Sequence, residues 1–266
     1  MKKTIDVADI KMIFFDIDDT LRVKDTGYMP LSVQEAIAKL QAKGIKIGIA
    51  TGRGMYGIVP EIKALKPDYF VTINGQYVTD CDGHVLYSNP IANRDIKNFI
   101  TWAEIQKIEY GMLGAADRAV SAWTPVVDDA MRVVYGKIEA DPLFYERQAV
   151  YQLWTFSTEQ VEDTMPTDLL EHLKIIRWHK NSCDLLPING SKAAGIEVIL
   201  QLLGLTKDNI IVFGDGLNDI EMFEYAGFSV AMGNAHKEAK ASADFVTKDL
   251  VDDGILHAVK VLGLIE

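Results

Sequence analysis

Apolar runs and polar breaks alternate regularly in the first and last thirds of the chain and lose their rhythm in the middle. Ile10 to Phe15 is a short apolar run that stops at Asp16-Ile17-Asp18-Asp19-Thr20, the pattern of a buried strand running into a loop. Val33, Ile37 and Leu40 follow at helical spacing, with Ser32 and Glu35 set as a capping box and Gly44 as the stop. Ile45 to Ala50 predicts a second buried strand broken at Thr51-Gly52-Arg53, then a helix to about Leu65 and a third strand from Tyr69 to Ile73. Strands apolar throughout and separated by helices belong to a parallel sheet covered on both faces.

The alternation then stops. Gln76 to Asp80 and Val85 to Tyr87 flank Cys81-Asp82-Gly83 as a hairpin, and after Pro90 a helix-like stretch, Ile96 to Ile108, precedes strand-like Val120 to Trp123, Val150 to Phe156 and Ile175 to Trp178. From Pro187 the doubly wound pattern resumes: a helix Ser191 to Leu203, a strand Ile210 to Phe213, a helix, a strand Phe228 to Met232 and a closing helix near Ile255 to Leu262. The predicted fold is α/β, a doubly wound, mostly parallel Rossmann-like core of residues 1–83 and 187–266, interrupted by an inserted α+β domain over 84–186.

Composition narrows the function. Thirty-eight acidic against twenty-seven basic residues give a formal charge of −11, which repels nucleic acid and anionic membranes. An anionic substrate would need a few local cations, backbone amides and a metal. Two cysteines, Cys81 and Cys183, without CxxC or Cys/His spacing, support neither a disulfide framework nor zinc. Met1 to Lys11 lacks the apolar centre of a signal peptide and no apolar run approaches a membrane span, so a cytoplasmic enzyme is expected, a monomer or weak homo-oligomer with a small-molecule partner.

In an open α/β sheet ligands collect beyond the carboxyl ends of the strands. Three predicted strands end there in Asp16-Ile17-Asp18-Asp19-Thr20, in Thr51-Gly52-Arg53 and in Gly214-Asp215-Gly216-Leu217-Asn218-Asp219. Any one Asp could simply cap a turn; three such breaks at one edge point to a shared site. Clustered carboxylates repel unless a cation offsets them, and oxygen-only ligands suit magnesium. A calcium loop of the EF-hand kind needs Gly at its sixth position, where counting from Asp16 gives Leu21 and from Asp215 gives Ile220. Lys192 opens a predicted helix, an unfavourable place for a cation unless it faces an anion, and Thr51 with the amides of Gly52 and Arg53 forms a possible phosphate cradle at a helix start.

Phe14-Phe15-Asp16-Ile17-Asp18-Asp19-Thr20-Leu21, Ala50-Thr51-Gly52-Arg53, Gly190-Ser191-Lys192 and Phe213-Gly214-Asp215-Gly216-Leu217-Asn218-Asp219 occur in that order. In this the chain resembles the haloacid dehalogenase superfamily, and within it the Cof-type sugar-phosphatase branch, which also places an α+β cap between the second and third motifs. The resemblance implies a phosphatase of small phosphorylated metabolites. Asp16 would be the nucleophile, and Asp18 the acid that protonates the leaving alcohol and then activates water. Ile17, Thr51, Gly52, Lys192 and Asn218 would contact phosphate. Magnesium would be held by Asp16, Asp215 and the backbone carbonyl of Asp18, with Asp219 in support. Asp19 stands where Gly is usual, and Asp tolerates positive φ better than most residues. Relatives that act as hexose phosphomutases, and receiver domains with a phospho-accepting Asp, are the alternatives the motifs leave. In the insertion, Trp123, Trp154, Arg177, Trp178 and His179 could line a sugar-sized pocket, although tryptophans are more often core.

Overall fold

The computed structural model describes residues 6–266; residues 1–5, part of the N-terminal stretch read above, lie outside them. The strands are β1 (Met12–Phe15), β2 (Lys46–Ala50), β3 (Tyr69–Thr72), β4 (Tyr77–Asp80), β5 (Val85–Ser88), β6 (Glu109–Leu113), β7 (Arg118–Val120), β8 (Gln152–Phe156), β9 (Leu173–His179), β10 (Ser182–Pro187), β11 (Ile210–Gly214), β12 (Phe228–Ala231) and β13 (Phe245–Val246). The helices are α1 (Leu31–Ala42), α2 (Pro60–Ala64), α3 (Asn93–Gln106), α4 (Pro125–Tyr135), α5 (Glu159–Glu162), α6 (Thr167–Leu170), α7 (Lys192–Leu203), α8 (Ile220–Tyr225), α9 (Lys237–Ser242) and α10 (Gly254–Val261).

One compact unit takes the chain up to Gly52, then Ile58–Tyr87 and Ser191–Glu266. Its sheet runs β13-β12-β11-β1-β2-β3-β4-β5. From β13 to β3 neighbours are parallel, and β4 turns back against β3. Every residue of β1 and β11 is buried, because both faces of the sheet are covered. The chain winds outward from β1 through β2 and β3, then returns to lay β11 on the other side of β1. The winding therefore reverses between β1 and β11, where the loops after the two strands part and leave a crevice. The register Phe15↔Phe213 and Phe15↔Ile49 sets the three strand ends level.

The second unit comprises Arg53–Gly57 and Ser88–Gly190. It holds an antiparallel sheet, β7-β6-β8-β10-β9, packed through Phe99, Trp102, Tyr110, Met112, Leu153 and Leu185 onto the apolar sides of α3 and α6. Burying each of these large side chains is worth about 1.5–3 kcal/mol. Residues 53–57 go with this unit: the Arg118 guanidinium lies 4.5 Å from the centre of the Tyr56 ring.

Several local expectations change. No capping box forms at α1: Pro30 precedes Leu31, Ser32 lies inside the helix, and Glu35 pairs with Lys39 at 2.8 Å. Proline's fixed φ presets the turn two residues before the expected cap. Thr51-Gly52-Arg53 does not open a helix, since a 3₁₀ turn, Met55–Gly57, intervenes and α2 starts at Pro60. Cys81 is exposed and Cys183 buried, both as thiols. Among the described residues no helix is long and apolar enough to cross a membrane.

Candidate active site

Asp16 is the first residue beyond β1, and its amide donates to the Phe213 carbonyl at 2.9 Å, so the sheet holds its backbone. The amides of Leu21 and Arg22 return to the Ile17 carbonyl at 2.9 and 3.0 Å and close a tight loop. Asp19 takes φ +61° there, the left-handed conformation that Asp accepts at modest cost. Asn234, on the loop after β12, donates to the Asp19 carbonyl at 2.8 Å and fastens the turn from outside.

Lys192 is the first residue of α7, capped by the Ser191 side chain, which accepts from the Ala194 amide at 3.1 Å. Its side chain is fully buried, and Nζ lies 2.7 Å from Asp16 Oδ1 and 2.6 Å from Asp219 Oδ1. The second oxygen of Asp219 accepts from the amides of Asp215 and Gly216 at 2.8 and 2.9 Å. Asp219 thus spends both oxygens on Lys192 and on the loop that carries Asp215. Thr20, wholly buried, donates to Asp215 Oδ1 at 2.7 Å. Asn218 donates to Asn74 Oδ1 at 2.9 Å.

Carboxylate oxygens of Asp16, Asp215 and Asp219 lie within 4.8 Å of one another. With Lys192 as their ammonium partner, three ionised carboxylates leave the group at −3 + 1 = −2. Burial pushes Asp16 up to about 7, against the pull of Lys192 and with the charges of Asp219 and Asp18 adding to it. Burial likewise pushes Asp215 up to about 9, helped by Asp16 and Asp219 and opposed by the Thr20 hydroxyl. For Lys192 burial acts downward, but Asp16 and Asp219 outweigh it and hold the ammonium above its ordinary value. These directions agree: the pocket is buried and has more negative than positive charge, so Asp16 and Asp215 resist ionisation and the cation keeps its proton.

A dication answers that imbalance, and the donors present fit magnesium, being hard oxygens at strand ends. Because Asp219 is committed to Lys192 and two amides, Asp16 and Asp215 are the carboxylates left for an ion. A second grouping, Asp80, Asp82 and His84, is explained by its exposed turn: Asp80 Oδ1 accepts from the amides of Asp82 and His84 at 3.0 and 2.9 Å.

The first unit therefore gathers Asp16, Lys192, Asp215 and Asp219 into one contact cluster. Asp18 and Thr51 lie on the same sheet edge, and Gly52 follows Thr51 directly. Trp123, Arg177 and Trp178 belong to the second unit. Trp123 Nε1 donates to Asp128 at 3.1 Å, and Trp178 is half-buried. Arg177 is tied to buried Glu162 and, through Nη1, to the carbonyls of His179 and Lys180 at 2.9 and 3.2 Å, so its fork is spent within the unit. Thr20, Asn74 and Asn234 escaped the sequence reading as site residues. Thr20 was inside a motif already singled out, and Asn74 and Asn234 each follow a strand at the same edge as the other three motifs.

Comparison with known proteins agrees with this geometry. Residues 13–259 match the haloacid dehalogenase-like hydrolase family. A putative phosphatase, YkrA, of Bacillus subtilis is 37% identical over 265 residues, covering 97% of this chain and 100% of that protein. A putative bifunctional phosphatase/peptidyl-prolyl cis-trans isomerase of Streptococcus pyogenes is 46% identical over 97% of this chain, which spans 55% of that relative's length. Among solved structures, the sugar phosphatase BT4131 superposes with a TM-score of 0.86 at 30% identity, over 96% of this chain and 100% of that one. The buried lysine between two carboxylates at the switch point of a doubly wound sheet thus sits in a chain that belongs to the haloacid dehalogenase-like hydrolase family and is an enzyme of its phosphohydrolase kind.

Proposed function

We propose that this enzyme is a magnesium-dependent phosphatase of small phosphate monoesters, sugar phosphates foremost, and that it works through an aspartyl-phosphate on Asp16. The observation that carries the reading is the buried Lys192 ammonium held between Asp16 and Asp219, with Asp215 in the same cluster. A carboxylate attacking an anionic ester needs positive charge aimed at the phosphoryl oxygens, and a lysine fixed at 2.7 Å from the nucleophile supplies it without reorganisation.

In this reading Asp16 Oδ2 attacks phosphorus while Oδ1 stays with Lys192. The bond from phosphorus to the leaving oxygen breaks, and Asp18 gives that oxygen its proton. Asp18, now ionised, takes a proton from water, whose oxygen attacks phosphorus and releases Asp16 and inorganic phosphate. Lys192, the Thr51 hydroxyl, the Ile17 and Gly52 amides and Asn218 hold the phosphoryl oxygens. Asp219 positions Lys192 and the Asp215 loop. Magnesium, held by Asp16, Asp215 and the Asp18 carbonyl, would neutralise charge on the phosphoryl group. The sugar-phosphate class is supported by the likeness to BT4131 along nearly the whole of both chains. Residues 88–190 are assigned to substrate selection, with Trp123 and Trp178 as the aromatic faces available to a sugar.

A phosphate-release screen over sugar phosphates, nucleotides and cofactor phosphates, with magnesium or excess chelator, tests the class. Release from sugar phosphates that stops in chelator is expected; full activity in chelator would remove the metal, and isomerisation of a hexose phosphate without release would make the enzyme a mutase. Asp16→Asn should form no phosphoenzyme. Asp18→Asn should lose about 10² to 10⁴ in rate on sugar phosphates and accumulate label on Asp16 with a nitrophenyl ester. Label mapped to any other residue would overturn the mechanism.

A further inference from the structure

Beyond β3 the chain makes a turn that nothing in the mechanism above uses. Ile73, Asn74 and Gly75 take φ of +51°, +50° and +90° in succession. Glycine adopts this region freely, Asn at modest cost, and a β-branched residue such as Ile almost never. All three residues are buried. A strained, buried turn persists only where its surroundings hold it, and such strain gathers at functional sites.

The surroundings here are the phosphate-binding groups. The Asn74 amide donates to the Thr51 carbonyl at 3.0 Å, and the Asn74 side chain lies against Gly52. Asn74 Oδ1 accepts from Asn218 Nδ2 at 2.9 Å, across 144 residues of sequence. On its other side the turn meets the start of α7: a Cβ on Gly75 would stand 1.8 Å from the Ser191 carbonyl oxygen, and one on Gly195 would stand 3.0 Å from the Gly75 Cα. Two glycines thus let the helix that begins with Lys192 press directly onto the turn.

We infer that Asn74 is a positioning residue for phosphoryl transfer: from its strained turn it fixes the Asn218 amide and registers the Thr51–Gly52 loop. The inference rests on the phosphatase reading for its kinetic consequence and on geometry alone for the positioning itself. An amide free to rotate would have to be ordered each time the phosphoryl group arrives; a pre-aimed one would not. Asn74 acts through Asn218 and does not itself touch substrate.

Three variants test it. Asn74→Gly keeps the positive φ without strain and removes the side chain, so the fold should hold. Asn74→Asp keeps both the tolerance for positive φ and an acceptor for Asn218. By NMR the Asn218 side-chain amide should give one resolved, slowly exchanging pair in the wild type and in Asn74→Asp, and an averaged or shifted one in Asn74→Gly. An unchanged Asn218 amide in Asn74→Gly would overturn the positioning role, whatever the enzyme's substrate. In kinetics on a small phosphate ester, Asn74→Gly should lower kcat/KM about 10- to 100-fold, the range for weakening a hydrogen bond to a charged group, here from Asn218 to the phosphoryl oxygens. Asn218→Ala should do the same, and the double variant should be no worse than Asn218→Ala alone, because the two act as one unit. Losses that multiply in the double variant, or wild-type kcat/KM in Asn74→Gly, would refute it. If the wild type released no phosphate from any ester, the phosphatase reading would fall while the amide measurement still decided the role of Asn74.

Discussion

The two units handle paired charge in opposite ways. In the second unit two charge pairs join partners close in sequence: Arg132 with Asp128, four residues away, and Arg177 with Glu162, fifteen away. In each of these two, one positive group meets one negative group, and the pair is neutral. In the first unit Lys192 meets Asp16 across 176 residues and Asp219 across 27, and Thr20 meets Asp215 across 195. Its carboxylates outnumber its cation, at a cost in stability that packing alone would not select. Neutral, local pairs are what a chain needs to fold; a surplus of buried charge assembled from distant segments is what a reaction needs.

The sharpest way to break this contrast is to remove the cation while keeping its volume. Lys192→Met leaves the aliphatic stem packed and strips the ammonium from two buried carboxylates. Turnover should drop by at least about 10²- to 10³-fold, as for loss of a preorganised electrostatic group. Stability should fall by about 3–5 kcal/mol near neutral pH, the cost of leaving a buried charge unpaired. Because the stranded Asp16 relieves itself by protonating, the gap to wild type should narrow in urea melts as pH falls from 8 to 5.5. Near-wild-type turnover would return Lys192 to a purely structural role.

Arg177→Ala applies the same operation to the second unit. It strands Glu162, which is 6% exposed, but the Thr155 and Ser157 hydroxyls still donate to that carboxylate at 2.9 and 3.2 Å. The expected loss is about 1.5–3 kcal/mol of stability, the range for a charged hydrogen bond, with kcat on a small generic ester unchanged. A fall in kcat at full folding would mean that the local pair serves catalysis after all.

The charge surplus also predicts how the chelated enzyme responds to pH. Asp16, near 7, and Asp215, near 9, both stand above the unfolded value of 3.8. Between 3.8 and those values the folded chain binds more protons than the unfolded one, so stability falls as pH rises through the window. Without metal the protein should be less stable at pH 8.5 than at pH 5.5 by at least one unit's worth of shift, about 1.4 kcal/mol. Magnesium should flatten the profile. Equal stability at both pH values in chelator would mean that the carboxylates ionise without penalty.

Legibility in the sequence followed the same divide. The sheet of the first unit was readable because each of its central strands is an apolar run cut off by a polar loop, and the loops carry the chemistry. Ile73-Asn74-Gly75 was not, because Asn-Gly after a strand reads as ordinary turn chemistry and positive φ at Ile73 leaves no mark in composition. The α1 capping box was misread because Pro30 starts the helix earlier. In the second unit four-residue helices such as α5 and α6 are too short for periodicity to separate helix from strand. Arg177 looked like a ligand fork because its partner, Glu162, cannot be paired with it from spacing alone.

The smallest effect tests whether local pairing in the second unit is as inert as it looks. Arg132 and Asp128 sit one turn apart on α4, and Arg132 also lies 5.8 Å from the centre of the Trp123 ring, while Trp123 Nε1 donates to the same Asp128. The pair is exposed, so water screens it and its removal should leave the melting temperature unchanged within error. Trp123 is different in kind: its indole is oriented by the pair but owes its place to neither charge alone. Arg132→Ala should therefore leave both stability and the rate on a small generic ester intact, and shift the relative kcat/KM among sugar phosphates by no more than about threefold. That last figure is the low end of what a cation–π contact contributes at an exposed site. A larger reordering of substrates would mark Arg132 as a direct substrate contact. No reordering even in Trp123→Ala would move substrate selection away from this corner of the second unit.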